Sequence, residues 1–128
     1  MKDEDLVELV NCQTQQDAAP ANQPFIGRNS RGIPAVVPAG ERWLIPAVEI
    51  TNTNSSAADA YVWFVPPGET VASTTTKWLV IPGTSIAAET ISTQEPGYPR
   101  KVLRILCPGD QIWVMGGAAN IGVYIMGW

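Results

Sequence analysis

The chain contains no histidine. Ser-His-Asp and Cys-His sites therefore lack their base, and the commonest metal ligand is missing. Its two cysteines, Cys12 and Cys107, lie far apart and make no CxxC metal or redox pattern. The plainer reading is two free thiols in a reducing cytoplasm; a disulfide between them is the other. Charge is scarce as well: Asp, Glu, Lys and Arg make up 16% of 128 residues, against roughly 25% in an average soluble domain. A weakly charged chain has little to hold its copies apart, which favours assembly. The formal net charge is −4, and among the basic residues only Arg100 and Lys101 are adjacent. Nucleic acid is not an expected partner, because binding to phosphate backbones rests on clustered Lys and Arg. No apolar run approaches the roughly 20 residues of a membrane-spanning helix. The opening MKDEDLVELV is acidic and unlike a secretory signal. A soluble protein made in a cytoplasm is expected, with no membrane partner. The acids Glu41, Glu49, Asp59, Glu69, Glu89, Glu95 and Asp110 are scattered and form no motif. No catalytic residue, cofactor or metal site is therefore expected, and the chain reads as a non-enzyme.

What remains is apolar and heavily punctuated: 45% hydrophobic residues, eleven glycines and eleven prolines. That division into short segments suits an all-β sandwich or barrel. The organising stretch runs from Trp43 to Pro67, two apolar runs around the polar corner TNTNSSAADA. It reads as an antiparallel strand pair. In the second run Val62 and Phe64 oppose Tyr61, Trp63 and Val65, so both faces are apolar and both need a cover. A neighbouring subunit is one source of that cover. Trp63, with Tyr124 and Trp128 of the similarly two-faced last strand, is the candidate subunit interface.

Residues 1–32 read as an extended N-terminal arm and residues 33–128 as the β-sandwich. Leu6, Val7, Leu9 and Val10 follow three acids and fit one or two helical turns. The Gln-, Asn-, Ala- and Pro-rich stretch after them has no core periodicity. These four residues, with the anchor Phe25-Ile26, are the candidate partner-binding set, and a chain without residues 1–31 is expected to fold but not to attach. Expected strands are 33–37, 43–51, 60–65, 77–81, 85–91, 101–106, 111–115 and 121–128. The last three are joined by turns at Pro108-Gly109-Asp110 and at Gly116, Gly117 and Asn120. The five tryptophans all fall in or beside apolar strands, which favours core or interface filling over sugar stacking.

The runs PAGERWLIPAVEITNTNSSA, VPPGE and LCPGDQIWVMGGAANIGVYIMGW resemble those of small bacteriophage virion proteins with a jelly-roll-like sandwich. The resemblance spans about residues 38–128. It implies an all-β, jelly-roll-like domain acting as a capsid cement (decoration) protein. Such a protein binds the major capsid protein, assembles as a homotrimer, and resides on the virion after assembly in the bacterial cytoplasm. A tail-tip or fibre-associated adhesin for host-surface glycan is the other role, with its tip around Tyr98.

Overall fold

A computed structural model describes residues 6–14, 23–94, 102–117 and 121–128. The described residues form ten strands and no helix: β1 (Val7–Gln13), β2 (Phe25–Ile26), β3 (Trp43–Ile45), β4 (Val48–Asn52), β5 (Ala58–Val65), β6 (Leu79–Ile86), β7 (Thr90–Gln94), β8 (Arg104–Leu106), β9 (Gln111–Gly116) and β10 (Ile121–Gly127). Sheet I has the order β1-β10-β4-β7 and sheet II the order β2-β9-β5-β6, while β3 and β8 make a separate ladder. All pairs are antiparallel. Five of the pairs nest inside one another, β1 with β10, β2 with β9, β3 with β8, β4 with β7 and β5 with β6. This is one long hairpin rolled into two sheets, the order of a jelly roll.

Alternation explains the core. Ile121, Val123 and Ile125 of β10 and Val48 and Ile50 of β4 point inward from sheet I. Val62, Ile112 and Val114 meet them from sheet II within a single buried cluster. Burying each such side chain is worth about 1.5–3 kcal/mol. Pro46 lacks a ladder donor and splits the expected strand 43–51 into β3 and β4. Asn52, fully buried, fastens the corner that follows. Its Nδ2 donates to the carbonyls of Ser56 (3.0 Å) and Ile86 (2.9 Å), and its Oδ1 accepts from the Asn54 N–H (2.9 Å).

The expected strand pairings need correction. Residues 43–51 and 60–65 are not partners, because β4 lies in sheet I and β5 in sheet II. Likewise β8 pairs with β3 and β9 with β5 and β2, not with each other. In a rolled hairpin strands that follow one another pass to the opposite sheet, except β5 and β6 at its tip. Alternation fixes which side chains point inward, and it is silent about which strand lies alongside. β6 also runs through Pro82-Gly83, where an end was expected, and residues 33–37 are extended with only isolated bridges at Pro34 and Val36.

The arm is corrected too. Residues 7–13 form the first strand of sheet I and residues 25–26 the first of sheet II. Leu9, Val10 and Cys12 are core residues. A bulge places Leu9 as an extra residue between the Glu8–Met126 and Val10–Ile125 pairs, so Leu9 and Val10 both turn inward. Two adjacent inward residues broke the period of two and imitated a helical turn. The remainder of the expected arm, residues 1–5 and 15–22, lies outside the described residues.

Candidate functional site

Each sheet has an outer face, and the chain treats the two differently. On sheet II, Trp63, Val65 and Met115 form a second apolar cluster, closed by Val71 and flanked by Tyr61, Trp78 and Trp113. Val71 belongs to the β5–β6 loop, residues 66–78, which folds back over the sheet. Trp63 Nε1 donates to the Thr75 carbonyl (3.0 Å). Gln111 Nε2 donates to the carbonyls of Pro66 and Glu69 (3.3 Å each), while its Oε1 accepts from Trp113 Nε1 (3.2 Å). The loop is thus tied down at its start and near its end. Trp78 closes it with φ of +63°, a left-handed conformation that costs an L-residue roughly 1–2 kcal/mol. Tyr61 stacks on Trp63, ring centroids 5.9 Å apart. It also lies over Gly83, where a Cβ would come within 2.7 Å of its ring.

Trp63 therefore has no exposed surface, and its place in a subunit interface is withdrawn. Strand β5 is apolar on both faces because the chain supplies both covers. Trp43 packs against the core and Trp63, Trp78 and Trp113 belong to the second cluster, while Trp128 joins neither; Trp78 and Trp128 lie just outside strands, one in the turn before β6 and one after β10.

Among the described residues no segment covers the outer face of sheet I. Gly122, Tyr124 and Met126 alternate outward along β10, next to Glu49 and Thr51 of β4 and Asn11 and Gln13 of β1. Tyr124 stands half-buried between two depressions. One, about 200 Å³, opens over Gly122 and is lined by Asn11, Gln13, Thr51 and Thr53. The other, about 110 Å³, is lined by Pro46, Ala47, Glu49, Thr93 and Met126. The first offers amides and hydroxyls without a formal charge; the second is mainly apolar. A third depression, about 290 Å³, separates Gln23 and Pro24 from Val71, Ala72 and Ser73.

Titration adds little chemistry. The Ser30 N–H donates to Glu8 Oε1 (2.6 Å) and Asn11 Nδ2 to Oε2 (3.2 Å). These bonds, the Ser30 one foremost, hold the Glu8 carboxyl below its ordinary value. Burial pushes the Cys12 thiol up, the opposite of an activated nucleophile. Cys12 and the exposed Cys107 are both free thiols. Asp110 is the turn residue its sequence suggests, its Oδ2 accepting from the Cys107 N–H (2.8 Å). Among the described residues no three of Cys, Asp and Glu converge on a metal site, and no helix is long and apolar enough to cross a membrane.

The expected partner-binding set is dispersed. Leu9 and Val10 are in the core, Phe25 packs against it, Ile26 pairs with Trp113 on β9, Leu6 is half-buried and Val7 is exposed. Tyr124 and Trp128 are half-buried on the outside, and the backbone of Trp128 exchanges two hydrogen bonds with Leu44 (3.0 and 3.1 Å). Tyr98 lies outside the described residues. What sequence reasoning missed is Gly122 and the polar side chains around it. The available signal was a glycine inside a strand, which marks a bulge or a close approach. Comparison with protein-family models, curated proteins and solved structures returns no match.

Proposed function

We propose that this protein is a non-enzymatic virion subunit, a capsid decoration protein that docks on the major capsid protein through the outer face of sheet I. The observation that supports this most is the contrast between the two faces. The apolar face of sheet II is closed by the chain's own loop. That of sheet I has no such cover among the described residues, and it carries a half-buried Tyr124 and Met126 among polar groups that include Glu8 and Glu49. Aromatic and Met anchors with a polar rim suit protein–protein contact. The resemblance of residues 38–128 to small phage virion proteins points the same way. Bound as a homo-oligomer, many such faces add by avidity, and the bridged seams between capsid subunits resist internal pressure. Mass spectrometry of purified particles of the encoding phage tests this. A copy number comparable with that of the major capsid protein supports decoration, and absence from particles overturns it.

The groove over Gly122 favours a second reading. Asn11, Gln13, Thr51 and Thr53 beside an aromatic ring can hydrogen-bond and stack a neutral, hydroxyl-rich ligand, as a glycan adhesin requires. A few copies per particle, with glycan binding lost in Tyr124→Ala and Gly122→Leu, would select it.

A further inference from the structure

One row of residues crosses the outer face of sheet I on all four strands. Asn11 of β1, Tyr124 of β10, Glu49 of β4 and Thr93 of β7 stand opposite one another in register. Residues so opposed have Cβ atoms about 4.5–5.5 Å apart, which sets the Glu49 carboxylate beside the Tyr124 ring. Both groups line the smaller depression of this face, about 110 Å³, whose other walls are Pro46, Ala47, Thr93 and Met126. Among the described residues Glu49 is the only formal charge lining either depression beside Tyr124. Glu8, the other carboxylate of this face, is already engaged: Ser30 and Asn11 donate to it, and Arg31 adds its charge. The described cations are accounted for. Arg28 and Arg31 lie at the turn bound to Glu8, Arg42 ahead of β3, Lys77 in the loop over sheet II and Arg104 over the Phe64 ring. None of them pairs with Glu49, and among the described residues nothing donates to its carboxylate.

We infer that the protein docking on this face presents one arginine side chain to the pocket; the assignment rests on the docking proposed above and names its chemistry. Size limits the guest. A pocket of about 110 Å³ is well below the roughly 300–1,000 Å³ of a small-molecule site, and it fits a single side chain. Charge sets the sign. Docking strips water from the half-buried Glu49, and a carboxylate desolvated without a cation is costly, so the partner must bring one. Shape selects arginine over lysine. The guanidinium is flat, stacks on an aromatic face and donates two parallel bonds to one carboxylate. A cation held within about 6 Å of the tyrosine ring centre gains further from its negative face. The apolar stem of the arginine lies along Pro46 and Met126, as long basic side chains do on apolar surface. Tyrosine and arginine are also the residue types enriched where interfaces concentrate their binding energy. The groove over Gly122 offers no such charge, so the glycan reading makes no demand for a cation.

The test titrates the full chain with acetyl-arginine methylamide, its lysine counterpart and the neutral citrulline analogue, read by NMR at the Tyr124 ring and the Met126 methyl. The arginine compound is expected to shift both signals saturably, the lysine compound more weakly and citrulline not at all. Glu49→Gln should weaken arginine binding about tenfold, while Glu41→Gln, an exposed carboxylate before β3, leaves it unchanged. Arg100→Gln with Lys101→Gln, both outside the described residues, should leave it unchanged too. Tighter binding in that double variant would mean the chain fills its own pocket, and overturns the assignment. A preference for lysine, equal shifts with citrulline, no saturable shift, or indifference to Glu49→Gln overturns it as well. Particles of the encoding phage stripped of this protein separate the two levels. They should bind the native chain about tenfold more tightly than Glu49→Gln. Equal binding of both chains refutes the arginine and keeps the docking. A chain that takes arginine yet ignores the particles supports the pocket and refutes decoration.

Discussion

Removing residues 1–31 should abolish folding. The deletion takes β1 and β2 from the sandwich, and with them the buried Leu9, Val10 and Cys12 and the half-buried Phe25. At about 1.5–3 kcal/mol for each large apolar side chain withdrawn, Leu9, Val10 and Phe25 alone account for roughly 4–8 kcal/mol. The loss does not stop there. Val123 and Ile125 of β10 lose the strand that covers their edge, and β9 loses Phe25-Ile26. A domain of this size is stable by only about 5–15 kcal/mol in total, so the truncated chain should show no cooperative transition. Circular dichroism and urea titration of the two chains side by side would measure it. A graded companion is Val10→Ala, which removes two methyl groups packed against Gly27. It is expected to cost about 2 kcal/mol and to lower the urea midpoint without changing the slope. A truncated chain that unfolds cooperatively near the full-length midpoint would refute the placement of β1 in the core.

Asn52→Ala should cost about 2–4 kcal/mol by urea denaturation, since the buried Ile86 carbonyl and the Ser56 carbonyl both lose their donor. Trp63→Ala should cost about 3–5 kcal/mol. It should also make residues 66–78 the first site of limited proteolysis, because the Thr75 anchor and the stacking partner of Tyr61 go together. Glu8 gives a pH signature. Its carboxyl is held below the ordinary value of 4.5 by the Ser30 and Asn11 bonds, so its stabilisation is present above that value and lost as pH falls through the folded-state pKa. The difference in melting temperature between the native chain and Glu8→Gln should therefore exist at neutral pH and vanish in acid. A difference that persists in acid would mean the carboxylate is not the cause.

The all-β class was legible because its signals are local: no long helical period, glycine and proline between short segments, and alternation in runs such as Ile121–Gly127. The turn at Asp110 was legible for the same reason. Neighbours were not, since a hairpin and a crossover to the opposite sheet need the same apolar alternation. The bulge at Leu9 hid β1 by shifting the phase of a single residue. The two-faced apolarity of β5 was read correctly as a demand for two covers. Its supplier, the loop of residues 66–78, was not visible because only Val71 and Trp78 in that polar segment advertise a buried role. Tyr124 was singled out from sequence and stands on the open face. The groove beside it depends on what β1 and β4 bring to Gly122 from opposite ends of the chain.

The pairing of Val7 with Gly127 also sets a timetable. While the ribosome works through the residues between them, at about 5–20 per second, β1 waits some ten seconds without its partner, Leu9 and Val10 exposed to solvent. Sheet I cannot close until its second strand, the last of the ten to be made, emerges. Topologies so dominated by distant contacts fold in milliseconds to seconds, not microseconds. The nascent chain is thus vulnerable to chaperones, proteases and its own copies until β10 emerges, and a stall inside residues 121–127 would leave β4 free to pair with β7 but β1 without its partner.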